Sequence, residues 1–206
     1  MLRKENEKGY TMIETIMYIS ILGVLGVILA GYINKVFNRY KIGRIGQQLL
    51  DLRKSILSYT AADEDYTRLS LAGMMESNSL PPDMRSGYHA FSGKINFGPV
   101  GTGDTAKTNN DKYLFYITFE GIYQPACIEL LSQGQFYGDR VDLDTLIVNN
   151  NVAWRYERSF FNTQNINTVH KIQTLPNKSV TIHPNMPEIM DACSREDDNI
   201  ITWIFS

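Results

Sequence analysis

The twenty residues from Thr15 to Asn34 carry no charge and are mostly apolar. As an α-helix rising about 1.5 Å per residue, such a run reaches roughly 30 Å, the thickness of a bilayer's hydrocarbon core. In the surrounding stretch, "EKGYTMIETIMYISILGVLGVILAGYINK", a charged stub ends at Gly9 and one carboxylate, Glu14, stands just ahead of the run. A cleavable secretory signal has an apolar region of about 7–15 residues and then a small-x-small site. This run is longer, and "GYINKV" after it is a poor site of that kind, so the segment is expected to stay with the mature chain.

Helical periodicity continues past the apolar run. Ile42, Ile45, Leu49, Leu52, Ile56 and Tyr59 are spaced 3, 4, 3, 4, 3, which makes one apolar stripe. Arg39, Lys41, Arg44, Gln47, Asp51, Arg53 and Lys54 fall mostly off it, and no proline occurs before Pro81. The pattern predicts one helix from about Tyr10 to Thr60, with a transmembrane part at about 15–34 and an amphipathic half packed on a domain. Gly23, Gly26 and Gly31 weaken it locally, each by up to about 1 kcal/mol relative to Ala, and allow close approach of a second helix.

Glu14 has two readings. An acid at the centre of a membrane helix costs about 2.5–3.5 kcal/mol on insertion scales, and less near an edge, where it stays wet. The other reading gives it a positive partner. If the chain is cut after Gly9, Tyr10 carries a new α-amino group, and a neighbouring copy can present that amine to Glu14.

With 206 residues, 43% hydrophobic and 20% charged, the chain suits one folded domain plus one membrane-length segment. A net charge of −2 gives no sign of a nucleic-acid binder. Beyond residue 61 the texture changes to short segments and turns. "LPPDMRSGY" (80–88) and "GPVGTGDTAKTNNDK" (98–112) read as loops, and the second lacks the GxxxxGK[ST] order of a phosphate loop. "KYLFYITFEGI" (112–122) reads as a strand and "PACIELLSQ" (125–133) as a short helix with Pro near its start. "DTLIVNNNVAWRY" (144–156), "KSVTIHP" (178–184) and "NIITWIFS" (199–206) read as further strands, with Gly and Asn between them favouring antiparallel connections. His89, His170 and His183 are isolated, no GxSxG occurs, and no enzyme site, metal site or cofactor is expected. The acidic stretch "SREDDN" (194–199) is either a calcium loop or a solvated turn. Cys127 and Cys193 are either two buried thiols of a reducing compartment or one disulfide of an exported domain.

"KGYTMIE", with its short charged leader and a Glu five residues after the Gly, resembles the prepilin peptidase site of type IV pilins and pseudopilins. In that family cleavage follows the Gly, the new amine is methylated, and the Glu serves filament assembly; the matching positions are Gly9, Tyr10 and Glu14. "YLFYITFEGIYQPACIELL" and "MPEIMDACSREDDNIITWIFS" are similar to type IVb pilins, in which a disulfide corresponding to Cys127–Cys193 closes a region on the filament exterior. The resemblance implies an α+β, pilin-like fold: a leader at 1–9, a long N-terminal helix at 10–60, and a head at 61–206 that packs the helix on an antiparallel sheet. It implies a type IV pilus subunit whose partners are copies of itself, the prepilin peptidase, the inner membrane and the assembly platform. The head would stand in the periplasm before assembly and outside the cell after it. Two alternatives are a pseudopilin of a type II secretion or DNA-uptake system and an uncleaved, single-pass anchored periplasmic binding or sensor domain. Lys35, Arg39, Lys41 and Arg44, with no acid until Asp51, oppose this orientation by the positive-inside count; the cleavage motif implies a cytoplasmic leader.

Processing is directly testable by intact mass. The mature protein should begin at Tyr10 with one added methyl group, and Gly9→Val should leave residues 1–9 attached. A mature chain that starts at Met1, or one cut near Gly31, contradicts the motif.

Overall fold

The computed structural model describes residues 6–100, 111–133, 143–150, 152–155 and 184–206. Its elements, in order, are α1 (Asn6–Tyr59), α2 (Leu71–Glu76), β1 (Ile95–Pro99), β2 (Phe115–Ile122), α3 (Gln124–Ser132), β3 (Leu143–Val148), β4 (Val152–Arg155), α4 (Met186–Ala192) and β5 (Asn199–Phe205). The chain divides into two compact units, Met1–Tyr40 and Lys41–Ser206. Among the described residues, α1 is the one helix long and apolar enough to cross a membrane.

In the first unit, large apolar side chains from Met12 to Tyr40 are exposed around the whole helix. In the second unit the stripe takes over. Ile42, Ile45, Leu49, Leu52 and Ile56 are buried, and they share one core with Met74, Met84, Phe97, Phe115, Phe119, Trp203 and Phe205. Full burial of each such side chain contributes about 1.5–3 kcal/mol. Gln48 sits inside this face at 3% exposure, and its amide is satisfied on both sides. Its Nε2 donates to Asp83 Oδ2 (2.9 Å) and its Oε1 accepts from the Ala90 amide (3.0 Å). Arg44 donates to the same Asp83 oxygen at 2.7 Å, so the turn after Pro81 and Pro82 is fastened to the helix.

The described strands form one antiparallel sheet in the order β1-β2-β5-β3-β4, with the last strand in its middle. Alternation along β2 and β5 explains its inner face. Phe115 pairs with Phe205, Ile117 with Trp203 and Phe119 with Ile201, all buried. On the other face Thr118 and Thr202 join hydroxyls at 2.8 Å. Cross-strand pairs of both kinds stabilise a sheet by roughly 0.2–1 kcal/mol each.

The long helix packed on an antiparallel sheet agrees with the expected fold class. Two details differ. "DTLIVNNNVAWRY" is not one strand but a hairpin, β3 and β4, because Asn149 and Asn150 take left-handed backbone with φ 53° and 56°. Asn tolerates that region better than other side chains. The stretch 98–112 begins with the end of β1, since Gly98 and Pro99 pair with Tyr116 and Phe115. Most of "KSVTIHP", His170 and His183 lie outside the described residues.

His89 closes a tight turn against β2. Its Nε2 faces the Glu120 carbonyl at 2.7 Å, and its Nδ1 accepts from the Phe91 amide at 3.2 Å. That pair of contacts selects the neutral tautomer with the proton on Nε2. Gly93 makes the approach possible, because a Cβ there would collide with the Glu120 carbonyl oxygen and the His89 ring. Burial pushes the imidazole's pKa below its ordinary value of about 6.5, partly opposed by the Glu120 carbonyl. A depressed folded pKa means the unfolded chain binds the proton first, so this contribution is complete above about 6.5 and is lost as pH falls below it. Denaturant midpoints should therefore drop between pH 7 and pH 5, and His89→Gln should flatten that slope. Equal slopes for the two proteins would rule out the buried neutral imidazole.

Candidate functional site

Glu14 is the one charged residue between Lys8 and Lys35. The structure puts it on an exposed face of α1, with the Tyr18 hydroxyl one turn ahead at 3.4 Å. That is long for a hydroxyl–carboxylate hydrogen bond. A carboxylate offers about four acceptor positions, so most of its capacity remains for another donor. The neighbouring hydroxyls are used differently. Thr15 Oγ1 donates to the Thr11 carbonyl (2.6 Å) and Ser20 Oγ to the Ile16 carbonyl (2.8 Å). Such back-bonding satisfies a hydroxyl inside its own helix and makes it tolerable in lipid. Thr15 and Ser20 are thus polar in composition yet internally satisfied, while Glu14 has, among the described residues, the long Tyr18 contact alone. Tyr18 was not singled out from sequence; its spacing of four from Glu14 was the available signal. Gly9 and Tyr10 both lie within α1.

In the second unit, Cys127 of α3 and Cys193, the residue that ends α4, form a disulfide with Cα atoms 5.9 Å apart. Both cysteines are fully buried. An N-terminal capping box holds α4: Asn185 accepts from the Glu188 amide, and the Glu188 carboxylate accepts from the Asn185 amide. Beside the disulfide two side-chain amides tie four chain segments together. Asn149 Nδ2 donates to the Ala192 carbonyl (2.8 Å) and to Asn199 Oδ1 (2.9 Å), while its Oδ1 accepts from the Ile200 amide (3.0 Å). Asn199 Nδ2 donates to the carbonyls of Ile122 (2.9 Å) and Arg195 (2.5 Å). The ends of β2, β3 and α4 and the start of β5 therefore meet at one satisfied polar cluster, with Asn199 at 0% exposure. Sequence reading missed this pair, since a run of asparagines at 149–151 and a single Asn199 after an acidic stretch both look like turn punctuation.

The backbone of 194–199 curls around Asn199, and Glu196, Asp197 and Asp198 point to solvent. Among the described residues no group of three or more His, Cys, Asp and Glu converges as metal ligands would.

No family model matches this sequence, and neither does any curated protein. The structure, however, is similar to the crystal structure of TcpA, a type IV pilin from Vibrio cholerae El Tor biotype, with a TM-score of 0.51 and 12% sequence identity. The match covers 81% of this chain and 99% of that one. The chain has the fold of a type IV pilin.

Within the pilin fold the disulfide has a computable weight. A bridge across a sequence separation of 66 restricts the unfolded chain by about 4 kcal/mol in the chain-entropy account. It also joins α3 to the end of α4, the pair of helices that flank the Asn149–Asn199 cluster. Replacing both cysteines by alanine should lower the unfolding free energy of the full chain in detergent by up to about 4 kcal/mol. A urea titration showing less than about 1 kcal/mol would mean that core packing and the asparagine cluster close this region without help.

Proposed function

We propose that this chain is a structural subunit of a type IV pilus, of the type IVb-like kind. It is cut after Gly9 by a prepilin peptidase and is held in the inner membrane by α1 until the assembly platform adds it to a filament. The observation that carries the reading is the first unit. A pilin fold comes with a helix that exposes apolar side chains all round from Met12 to Tyr40, a stretch whose one acid is Glu14.

Two environments can cover such a helix: lipid tails before assembly and neighbouring helices after it. In lipid, Glu14 sits near one end of the apolar run, within reach of water at the membrane edge. In a helix bundle an unpaired charge costs several kcal/mol. After cleavage the Tyr10 amine of a neighbouring copy supplies the missing positive group. A copy docked in another register leaves both charges unpaired, so the pair sets register as well as attraction. The Gly9–Tyr10 bond lies within the helix, and Gly lowers the cost of unwinding there by up to about 1 kcal/mol relative to Ala.

Mixed expression tests this reading. In cells making wild-type and Glu14→Gln chains in equal amounts, both should be inserted and cleaved, but filaments sheared from the surface should consist mainly of wild-type chains. Sheared filaments that lack this chain altogether would remove the pilus reading in favour of a pseudopilin or an anchored domain. Filaments containing the variant in proportion to its abundance would remove the charge pair alone.

A further inference from the structure

We propose that Tyr32, Lys35 and Arg39 form a contact for acidic phospholipids, taking headgroup phosphates at the end of the uncharged run. The proposal rests on the membrane-held state of the preceding reading and adds the class of lipid that the helix selects.

Charge supplies the first argument. From Glu14 to Asp51 every charged residue is basic, so α1 itself carries no nearby acid for Lys35 or Arg39. Both are exposed, and neither makes an ion pair or hydrogen bond among the described residues. The basic residues that follow are already engaged: Lys41 lies over the Phe91 ring at 5.6 Å, and Arg44 is bound to Asp83.

Position supplies the second. Lys35 is the first charge after the twenty residues Thr15–Asn34, which reach roughly 30 Å as a helix. It therefore comes at the depth where hydrocarbon gives way to headgroups. Tyr32, Lys35 and Arg39, at i, i+3 and i+7, share one face of α1. Tyr32, Phe37 and Tyr40 are all exposed, and aromatic rings of this kind concentrate at membrane interfaces. Arg offers a planar fork that fits two phosphate oxygens, Lys a mobile point charge, and Tyr a hydroxyl on an apolar ring. This chemistry suits a phosphodiester surface better than a neutral zwitterionic one. It also gives the basic flank a purpose: a charge cluster that the positive-inside count reads as an orientation signal acts here as a depth stop.

The test uses the full chain in lipid nanodiscs made of phosphatidylcholine with a minority of phosphatidylglycerol. Native mass spectrometry then counts the lipids that stay bound. Wild-type chain should retain phosphatidylglycerol in preference to phosphatidylcholine, and the double variant Lys35→Gln, Arg39→Gln should lose that preference by roughly fivefold per residue. Both proteins should resist alkaline carbonate extraction from membranes. A wild-type chain that is extracted overturns the membrane-held reading itself. A chain that stays inserted but retains both lipids alike, or a double variant with unchanged preference, overturns the headgroup contact alone. A variant with unchanged lipid preference and poor filament incorporation overturns it in favour of an acidic face on a neighbouring copy.

Discussion

Everything in this molecule depends on a helix that cannot cover its own apolar surface. From Met12 to Tyr40 the large side chains of α1 are exposed on all sides. Soluble monomers rarely expose contiguous apolar patches larger than a few hundred square ångströms. The backbone is no obstacle to burial, because an α-helix pairs its own amides and carbonyls. Nor are the hydroxyls of Thr15 and Ser20, which donate one turn back. What remains is a surface whose strong polar demands stand at its two ends, Glu14 at one and Lys35 and Arg39 at the other. Such a surface can be covered by lipid or by apolar helices alike, which is the premise of the proposed transfer from membrane to filament.

The second unit is stabilised by its own core and cross-links. The amphipathic stripe of α1 is built into its core, Gln48 and Arg44 fasten the turn at Asp83, and the Cys127–Cys193 bridge closes its far end in sequence. The central place of β5 has a folding consequence. β2 and β3 each pair with a strand at the C-terminus, so the sheet is complete only when Asn199–Phe205 arrives. Pairings this distant in sequence fold slowly. Asn199 stands at the start of that strand and accepts or donates to Asn149, Arg195 and Ile122. A buried amide cluster that is satisfied in only one arrangement favours the correct register of β5 over a slipped one.

What could be read from the sequence follows from which signals are local. The stripe Ile42, Ile45, Leu49, Leu52, Ile56 was visible as a 3-4-3-4 spacing because one helix face meets one core. The strands β2 and β5 were visible because β-branched and aromatic residues dominate both. The break at Asn149–Asn150 was missed, although three adjacent asparagines (149–151) between apolar runs are a turn signal; the flanking β-formers outweighed them. α4 was missed because its signal is the spacing of Asn185 and Glu188, not its short apolar content. β1 was hidden because Asn96, Gly98 and Pro99 make poor strand composition, and pairing with β2 overrides it. Neither the engagement of Glu14 with Tyr18 nor the asparagine cluster could be weighed from sequence. The first needs the local geometry of one helix turn, and the second joins segments about fifty residues apart.

At 12% identity to TcpA the fold persists where residue identity does not. Cores accept wide hydrophobic substitution when volume and pattern are kept. In this chain the pattern is an uncharged run of twenty residues, a stripe at helical spacing, and a sheet whose inner face alternates with aromatic residues. A shared fold leaves function to be argued from particular sites. In this chain the sites lie where the pattern is broken: Glu14 ahead of the uncharged run, and Lys35 and Arg39 after it. Each break has a cost in lipid that hydrophobic composition alone would have avoided. In the proposed reading the acid is met by an amine of another copy, and in the proposed lipid contact the bases, one turn apart beside Tyr32, are met by headgroup phosphates. The two proposals thus place subunit register and lipid selection at opposite ends of the same uncharged segment.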